Sequence, residues 1–284
     1  MFIPRRLVEE KLMQLLAEDV GQGDVTSAAI ISPNTEVTAE VLAKQAGVVA
    51  GLEEAVILSE CLGLEAKAKV ADGSKIKNKQ VLLELRGNAQ TILVAERTML
   101  NLLSRMSGIA TKTRALTDQL TKSGLKAKIA ATRKTDPGLL YFDKKAVVVG
   151  GGDPHRLHLE DMILIKDNHL AIVGSVEQAI KKAKDAGSFT KKIEVEVSTP
   201  EDAMIASNAG ADIVMLDNFT PKQAKSTLEA LRKAGFNRVL VEVSGGITSE
   251  NIMDYAKANA DIISIGELTH SVKALNTSLE ITKK

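Results

Sequence analysis

Residues 192–217, KIEVEVSTPEDAMIASNAGADIVMLD, read as one strand–helix–strand unit. Ile193–Val197 alternates acids with β-branched residues, Pro200–Ala209 carries a helical pattern, and Ile213–Leu216 is a short apolar run. Period-two alternation marks a strand, and a helix between two strands returns the chain to a parallel neighbour. The unit recurs on both sides. Strand-like runs at Lys128–Ala131, Val147–Val149, Ile163–Ile165, Val239–Val243 and Ile262–Ile265 alternate with helical patterns at Ser175–Ala186, Pro221–Ala234 and Ser249–Ala258. Such repeats build a parallel sheet or a barrel. Polar groups follow directly after one strand after another, which favours a barrel, whose functional groups gather at the C-terminal strand ends.

The first part of the chain has a different texture. Leu7–Glu18 has helical spacing, and Asp19–Ala28, DVGQGDVTSA, reads as a loop on its glycines and turn formers. Runs at Thr35–Lys44, Gly47–Ala50, Ala66–Val70 and Gln80–Leu85, with a helix near Leu52–Leu62, predict a small, mostly antiparallel α+β sheet. From Thr91 to Leu120 the apolar period is helical, and Gly108 is expected to break or kink it.

Composition sets limits on function. A chain of 284 residues suits one large domain or two unequal ones. A net charge of +1 gives no global attraction to nucleic acid or anionic membranes, and 2% aromatics with no Trp leaves no base-stacking platform. The single cysteine, Cys61, cannot form an intrachain disulfide, and its apolar surroundings predict a buried core residue rather than a nucleophile. No apolar run approaches the ~20 residues of a membrane span, and the N-terminus lacks a signal-peptide core, so a cytoplasmic protein is expected.

The chemistry concentrates after the strands. Between Ala131 and Leu170 lie Arg133, Lys134, His155, Arg156, Lys166 and His169, with Gly150–Gly152 among them. Cations beside flexible backbone suit a small ligand with several negative charges. In Ile193–Val197, Glu194 and Glu196 share one face, and in a barrel a carboxylate facing inward is costly unless it is paired or binds something. Asp217-Asn218 follows the next strand, where acids suit ribose hydroxyls or Mg²⁺, or a salt bridge to Arg133 or Lys166. The last strands end in Ser244-Gly245-Gly246 and Gly266-Glu267-Leu268-Thr269-His270, the usual place for a barrel's phosphate loops, with Ser249 expected to cap the helix after Gly246. No P-loop or dinucleotide fingerprint occurs, and His155, His158, His169 and His270 lack metal-site spacing.

These residues carry a resemblance. The segments Gly23-Asp24-Val25-Thr26-Ser27, Glu96-Arg97-Thr98, Ser107-Gly108-Ile109-Ala110-Thr111, Thr132-Arg133-Lys134-Thr135, Gly150-Gly151-Gly152, His155-Arg156, Lys166-Asp167-Asn168-His169, Glu194-Val195-Glu196, Leu216-Asp217-Asn218, Ser244-Gly245-Gly246 and Gly266 through His270 occur in order. So arranged, the chain resembles the quinolinate phosphoribosyltransferase family over nearly its whole length. The resemblance implies an N-terminal α/β sandwich domain over 1–110 and a C-terminal open α/β barrel of parallel strands, of the type II phosphoribosyltransferase kind, over 111–270. Residues 271–284 would pack back on the first domain.

It also implies a homodimer or larger oligomer with shared active sites, and Mg²⁺ as cofactor. The substrates would be quinolinate and phosphoribosyl pyrophosphate, the products nicotinate mononucleotide, pyrophosphate and CO₂. Arg97 (from a neighbouring subunit), Arg133, Lys134, His155, Arg156 and Lys166 would bind quinolinate. Glu196 and Asp217 would hold ribose hydroxyls and Mg²⁺, and Ser244, Gly245, Gly246, Gly266 and His270 the 5′-phosphate. Lys134, Lys166, Glu196 and Asp217 form the expected catalytic group. His158 is weighted towards packing beside the site. Alternatives are a sibling phosphoribosyltransferase linked to molybdate transport, a nicotinate phosphoribosyltransferase that does not decarboxylate, and a non-catalytic anion-binding protein. Inward-facing acids disfavour the last.

Overall fold

A computed structural model describes residues 3–283. In chain order the elements are α1 (Arg5–Val20), α2 (Val25–Ile30), β1 (Glu36–Ala43), β2 (Gly47–Val48), α3 (Leu52–Cys61), β3 (Glu65–Ala68), β4 (Lys75–Ile76), β5 (Val81–Asn88) and α4 (Ala89–Lys122). There follow β6 (Lys128–Ala131), α5 (Leu140–Val149), β7 (Ile163–Ile165), α6 (Asp167–Val173), α7 (Val176–Ala186), β8 (Ile193–Val197), α8 (Pro200–Ala209) and β9 (Ile213–Asp217). The chain closes with α9 (Pro221–Lys233), β10 (Leu240–Ser244), α10 (Ile252–Ala256), β11 (Ile262–Ile265), α11 (Glu267–His270) and β12 (Thr277–Lys283). No described helix is long and apolar enough to cross a membrane.

The chain forms two compact units. One takes the residues up to Arg114, Tyr141–Gly151 and the chain from Val272 onward; the other takes Ala115–Leu140 and Gly152–Ser271. The first unit is built on an antiparallel sheet ordered β12-β1-β5-β3. β1 alternates strictly, burying Val37, Ala39, Val41 and Ala43, which is the pattern of a sheet with one face in the core.

The second unit is a parallel sheet ordered β6-β11-β10-β9-β8-β7 with helices between the strands. No ladder joins β6 to β7 among the described residues, so the barrel is open there. Asp153 instead bridges to Ala130 alongside β6. Helix ends follow local chemistry. Thr199 and Thr220 cap α8 and α9 through their side chains, Pro stands in the first turn of each, and Gly210 ends α8 at φ 86°.

Five expectations are corrected. Val147–Val149 is the last turn of α5, not a strand. A run of three β-branched residues does not separate the two states, and burial of its polar neighbours settles the matter. Asp143 accepts both nitrogens of Arg105 at 2.7 and 2.9 Å, and Lys145 donates to Glu53 and, at 2.6 Å, to Glu54. Gly108 leaves α4 unbroken. It is needed for proximity, since a Cβ there would overlap the backbone of Lys273 and Ala274. Part of the 19–28 segment is helical, because Asp24 caps α2 by accepting from Thr26 and Ser27 N–H at 3.0 Å each. Ser249 does not cap α10; its hydroxyl donates to Glu267 at 3.1 Å. Cys61 is exposed, being the last residue of α3 with its side chain turned outward, and burial combined with the charge of Glu9 raises its thiol pKa. A thiol shifted that way is a poor nucleophile.

Candidate active site

The C-terminal strand ends of the barrel hold most of the expected residues. Arg133 and Lys134 leave β6 at its C-terminal end, both exposed. Thr269 Oγ1 donates to the Lys134 carbonyl at 2.8 Å, tying this turn to α11. A Cβ on Gly266 would stand 3.0 Å from the His270 ring and 3.4 Å from the Lys134 stem, so glycine allows the three to crowd together.

Lys166 follows β7 and donates to Glu196 Oε2, on β8, at 2.7 Å. Asp217 ends β9 half-buried. Burial and the charge of Glu196 raise its pKa, while Lys166 and Lys134 pull it back. Lys134, Lys166, Glu196 and Asp217 thus act on one another electrostatically, and two acids close enough to repel favour a cation between them.

The glycine turn after β10 is set by a close approach. Gly245 has φ 92°, Gly246 has φ 61°, and a Cβ on Gly245 would lie 2.7 Å from the Asn218 backbone nitrogen. Asn218, itself at φ 57°, donates its N–H to the Ser244 carbonyl at 2.9 Å and its side-chain amide to Asp217 at 2.6 Å. The ends of β9 and β10 are therefore locked together, with Asp217 beside the glycine turn.

His155 and Arg156 sit deeper. His155 is a non-glycine residue at φ 52°, a conformation that costs about 1–3 kcal/mol unless its surroundings enforce it. Its N–H donates to Asp153 Oδ1 at 2.8 Å, and its Nδ1 accepts the Arg156 N–H at 2.8 Å. Nε2 faces Glu242 Oε2 at 3.2 Å and Glu194 Oε2 at 3.3 Å, with both acids fully buried.

Burial would lower the His155 pKa, but hydrogen bonds and charge from Glu194 and Glu242 outweigh it and push it up to about 10. Burial, together with the charge of Glu242, raises the pKa of Glu194 as well. Nδ1 accepts the Arg156 N–H, so Nε2 carries the ring hydrogen that faces the two carboxyl groups. Burial and nearby Arg133 lower the Arg156 pKa, and Glu194 opposes them.

The sequence reading missed Glu242. Its signal is the alternation in β10, which puts Leu240, Glu242 and Ser244 on one face and repeats the inward acid of β8. His169 serves α6, its Nδ1 accepting the Lys166 N–H at 2.9 Å, and His158 is exposed rather than packed. Arg97 is exposed on α4 in the other unit. A cavity of about 770 Å³ opens at the N-terminal strand ends, lined by Lys128, Lys192, Ile213, Leu240 and Ile262 and also by His155 and Arg156. Arg133, Lys134, Lys166, Glu196 and Asp217 do not line it; they stand at the opposite, C-terminal strand ends.

A parallel barrel with four cations, two acids and two glycine turns at its C-terminal mouth has the frame of an enzyme for phosphorylated, polyanionic substrates. The chain belongs to the quinolinate phosphoribosyl transferase family: the family's C-terminal domain matches residues 109–280 and its N-terminal domain residues 24–107. It is 45% identical to a probable carboxylating nicotinate-nucleotide pyrophosphorylase of Methanothermobacter thermautotrophicus, over 95% of this chain and 97% of that protein. It is 38% identical to the carboxylating nicotinate-nucleotide pyrophosphorylase of Rattus norvegicus, over 89% of this chain and 85% of that protein. Among solved structures, the nicotinate-nucleotide pyrophosphorylase of Francisella tularensis superimposes with a TM-score of 0.90 at 35% identity, covering 99% of this chain and 98% of that one.

Proposed function

We propose that the chain transfers the phosphoribosyl group of phosphoribosyl pyrophosphate to quinolinate with loss of CO₂, giving nicotinate mononucleotide and pyrophosphate for NAD biosynthesis. The observation that carries this reading is the pairing at one barrel mouth of a cation group with an acid group, Lys166 to Glu196 at 2.7 Å and Asp217 beside them. A dicarboxylate acceptor needs the first group and a ribose donor the second.

Arg133, Lys134, Arg156 and Lys166 bind the two quinolinate carboxylates, guanidinium groups doing so in bidentate fashion. His155 lines the floor of the same pocket. Glu196 and Asp217 accept hydrogen bonds from ribose hydroxyls, and the turns at Ser244–Gly246 and Gly266, with His270, receive the 5′-phosphate through backbone N–H groups. Glu196 and Asp217 also fit Mg²⁺, because burial and then the charge of Glu196 disfavour the Asp217 carboxylate, and a cation offsets both. Glu196 and Asp217 would hold Mg²⁺ together with oxygens of the substrate and water. When bound, Mg²⁺ neutralises charge developing on the departing pyrophosphate. Lys134 and Lys166 add to that neutralisation. The pyridine nitrogen's lone pair forms the bond to the ribose carbon as the bond to pyrophosphate breaks, so no covalent enzyme nucleophile is required; the nitrogen, now positive, stabilises the carbanion formed as CO₂ leaves the adjacent carbon, and that carbanion takes a proton from water.

Arg97 reaches the site of a second copy in a homodimer or larger homo-oligomer, a role supported by its exposed position on α4. A cytoplasmic setting fits the lone, unpaired Cys61. The test is to incubate the protein with phosphoribosyl pyrophosphate, Mg²⁺ and either quinolinate or nicotinate. CO₂ and mononucleotide from quinolinate are expected; mononucleotide from nicotinate with no CO₂ from quinolinate would overturn the reading.

A further inference from the structure

The buried acids beneath the mouth have no place in the chemistry above. Glu194 and Glu242 are fully buried, and both oxygens of Glu194 and Oε1 of Glu242 lack a hydrogen-bond partner among the described residues. Carboxyls in such surroundings are costly.

A metal site is one account, since His155, Glu194 and Glu242 offer three ligand atoms within 4.8 Å of one another. The ring argues against it. A metal on Nε2 would move the imidazole hydrogen to Nδ1, where the Arg156 N–H already donates at 2.8 Å, and two donors would then face each other.

What the acids do touch is His155. That residue is held at three points: its N–H by Asp153, its Nδ1 by the Arg156 N–H, and its Nε2 by a hydrogen bond to Glu242 Oε2 at 3.2 Å, with Glu194 Oε2 in ion-pair range at 3.3 Å. The first two contacts are local to one turn and leave the ring free to swing about its own backbone. Asp153 ties the backbone of the turn to β6 through the Ile129 carbonyl and the Ala131 N–H, whereas the ring itself meets the sheet through the acids on β8 and β10. The left-handed backbone at His155 is sparsely populated for a non-glycine residue, and contacts around the turn hold it there. Because the ring accepts the Arg156 N–H, the anchor passes directly to the next residue.

We propose that Glu194 and Glu242 are positioning residues of the acceptor half-site: by fixing the His155 ring to the barrel interior they set the turn that presents Arg156 to the substrate carboxylate. This rests on the proposed function, because Arg156 must meet a carboxylate for the device to matter. The glutamates touch no substrate. Their effect is confined to one of two half-sites, since Glu196, Asp217 and the glycine turns are held by contacts of their own.

The experiment measures quinolinate and phosphoribosyl pyrophosphate binding separately by titration calorimetry, with melting temperatures recorded alongside. The proteins are wild type, Glu242→Gln, Glu194→Gln, His155→Ala and the Glu242→Gln/His155→Ala double variant. Loss of one charged hydrogen bond from the carboxylate clamp weakens binding by about 10–100-fold. Quinolinate affinity in Glu242→Gln should fall by that factor, with phosphoribosyl pyrophosphate affinity and melting temperature near wild type. In the double variant, Glu242→Gln should cost nothing further once the ring is gone. Equal weakening of both ligands, or an additive double variant, would overturn the proposal while leaving the functional reading standing. If Glu242→Gln fails to fold, the same split is read on Glu194→Gln. A wild type that binds phosphoribosyl pyrophosphate but not quinolinate defeats the functional reading, and the proposal with it.

Discussion

Glu196→Gln separates catalytic from structural roles at the mouth. Glu196 pairs with Lys166 at 2.7 Å, and the two side chains are 13% and 45% exposed. An ion pair with one partner nearly half in water contributes about 0–1 kcal/mol to stability. At ~2–4 °C per kcal/mol for a chain of this size, the melting temperature should drop by no more than about 4 °C. The activity prediction runs the other way. A carboxylate holding a ribose hydroxyl makes a charged hydrogen bond of about 1.5–3 kcal/mol, and 1.4 kcal/mol is a factor of ten. The amide keeps the shape but loses the charge and the metal contact, so kcat/KM for phosphoribosyl pyrophosphate should fall at least ~10–100-fold. Initial rates of CO₂ release at varied donor and saturating acceptor, with parallel thermal melts, measure both quantities. Unchanged donor kinetics, or a loss of activity that merely tracks a large loss of stability, would refute the assignment.

Other substitutions probe other links. Lys145→Met strands fully buried Glu54, so unfolding should become about 3–5 kcal/mol easier at pH 7. Burial already raises the Glu54 pKa. The folded variant therefore takes up a proton that the unfolded chain does not, and its deficit should shrink as pH falls from 7 towards 5; urea melts across that range check the sign, and a deficit that widens would count against it. Gly245→Ala forces a methyl against Asn218 at a left-handed φ and should abolish binding of the phosphorylated donor while sparing quinolinate, as calorimetry with each ligand would show. Mixing inactive Arg97→Ala with inactive Lys166→Ala should restore CO₂ release if Arg97 serves a neighbouring subunit's site; mixtures that stay inactive after subunit exchange would place Arg97 elsewhere.

Much was legible because it is local. Period-two runs, proline after threonine and glycine after a helix mark strands and helix ends within a few residues of themselves, which is why β8, α8 and β9 stand where residues 192–217 predict them. Functional groups placed directly after strands, such as Lys166 and Asp217, share that legibility, since a parallel barrel delivers every strand end to one mouth. The remainder depends on partners far along the chain. Val147–Val149 is helical because Asp143 and Lys145 in the same element bury their charges against Arg105, Glu53 and Glu54. Gly108 reads as a break until Lys273 lies against it. Glu242 reads as one more acid in a strand until β10 brings it to His155, 87 residues away in sequence. The sequence alone determined the barrel and the residues at its mouth, because hydrophobic period and turn chemistry act over a few residues. Tertiary structure alone decided which buried charges meet, because the cost of burying a charge depends on a partner that only the folded sheet supplies.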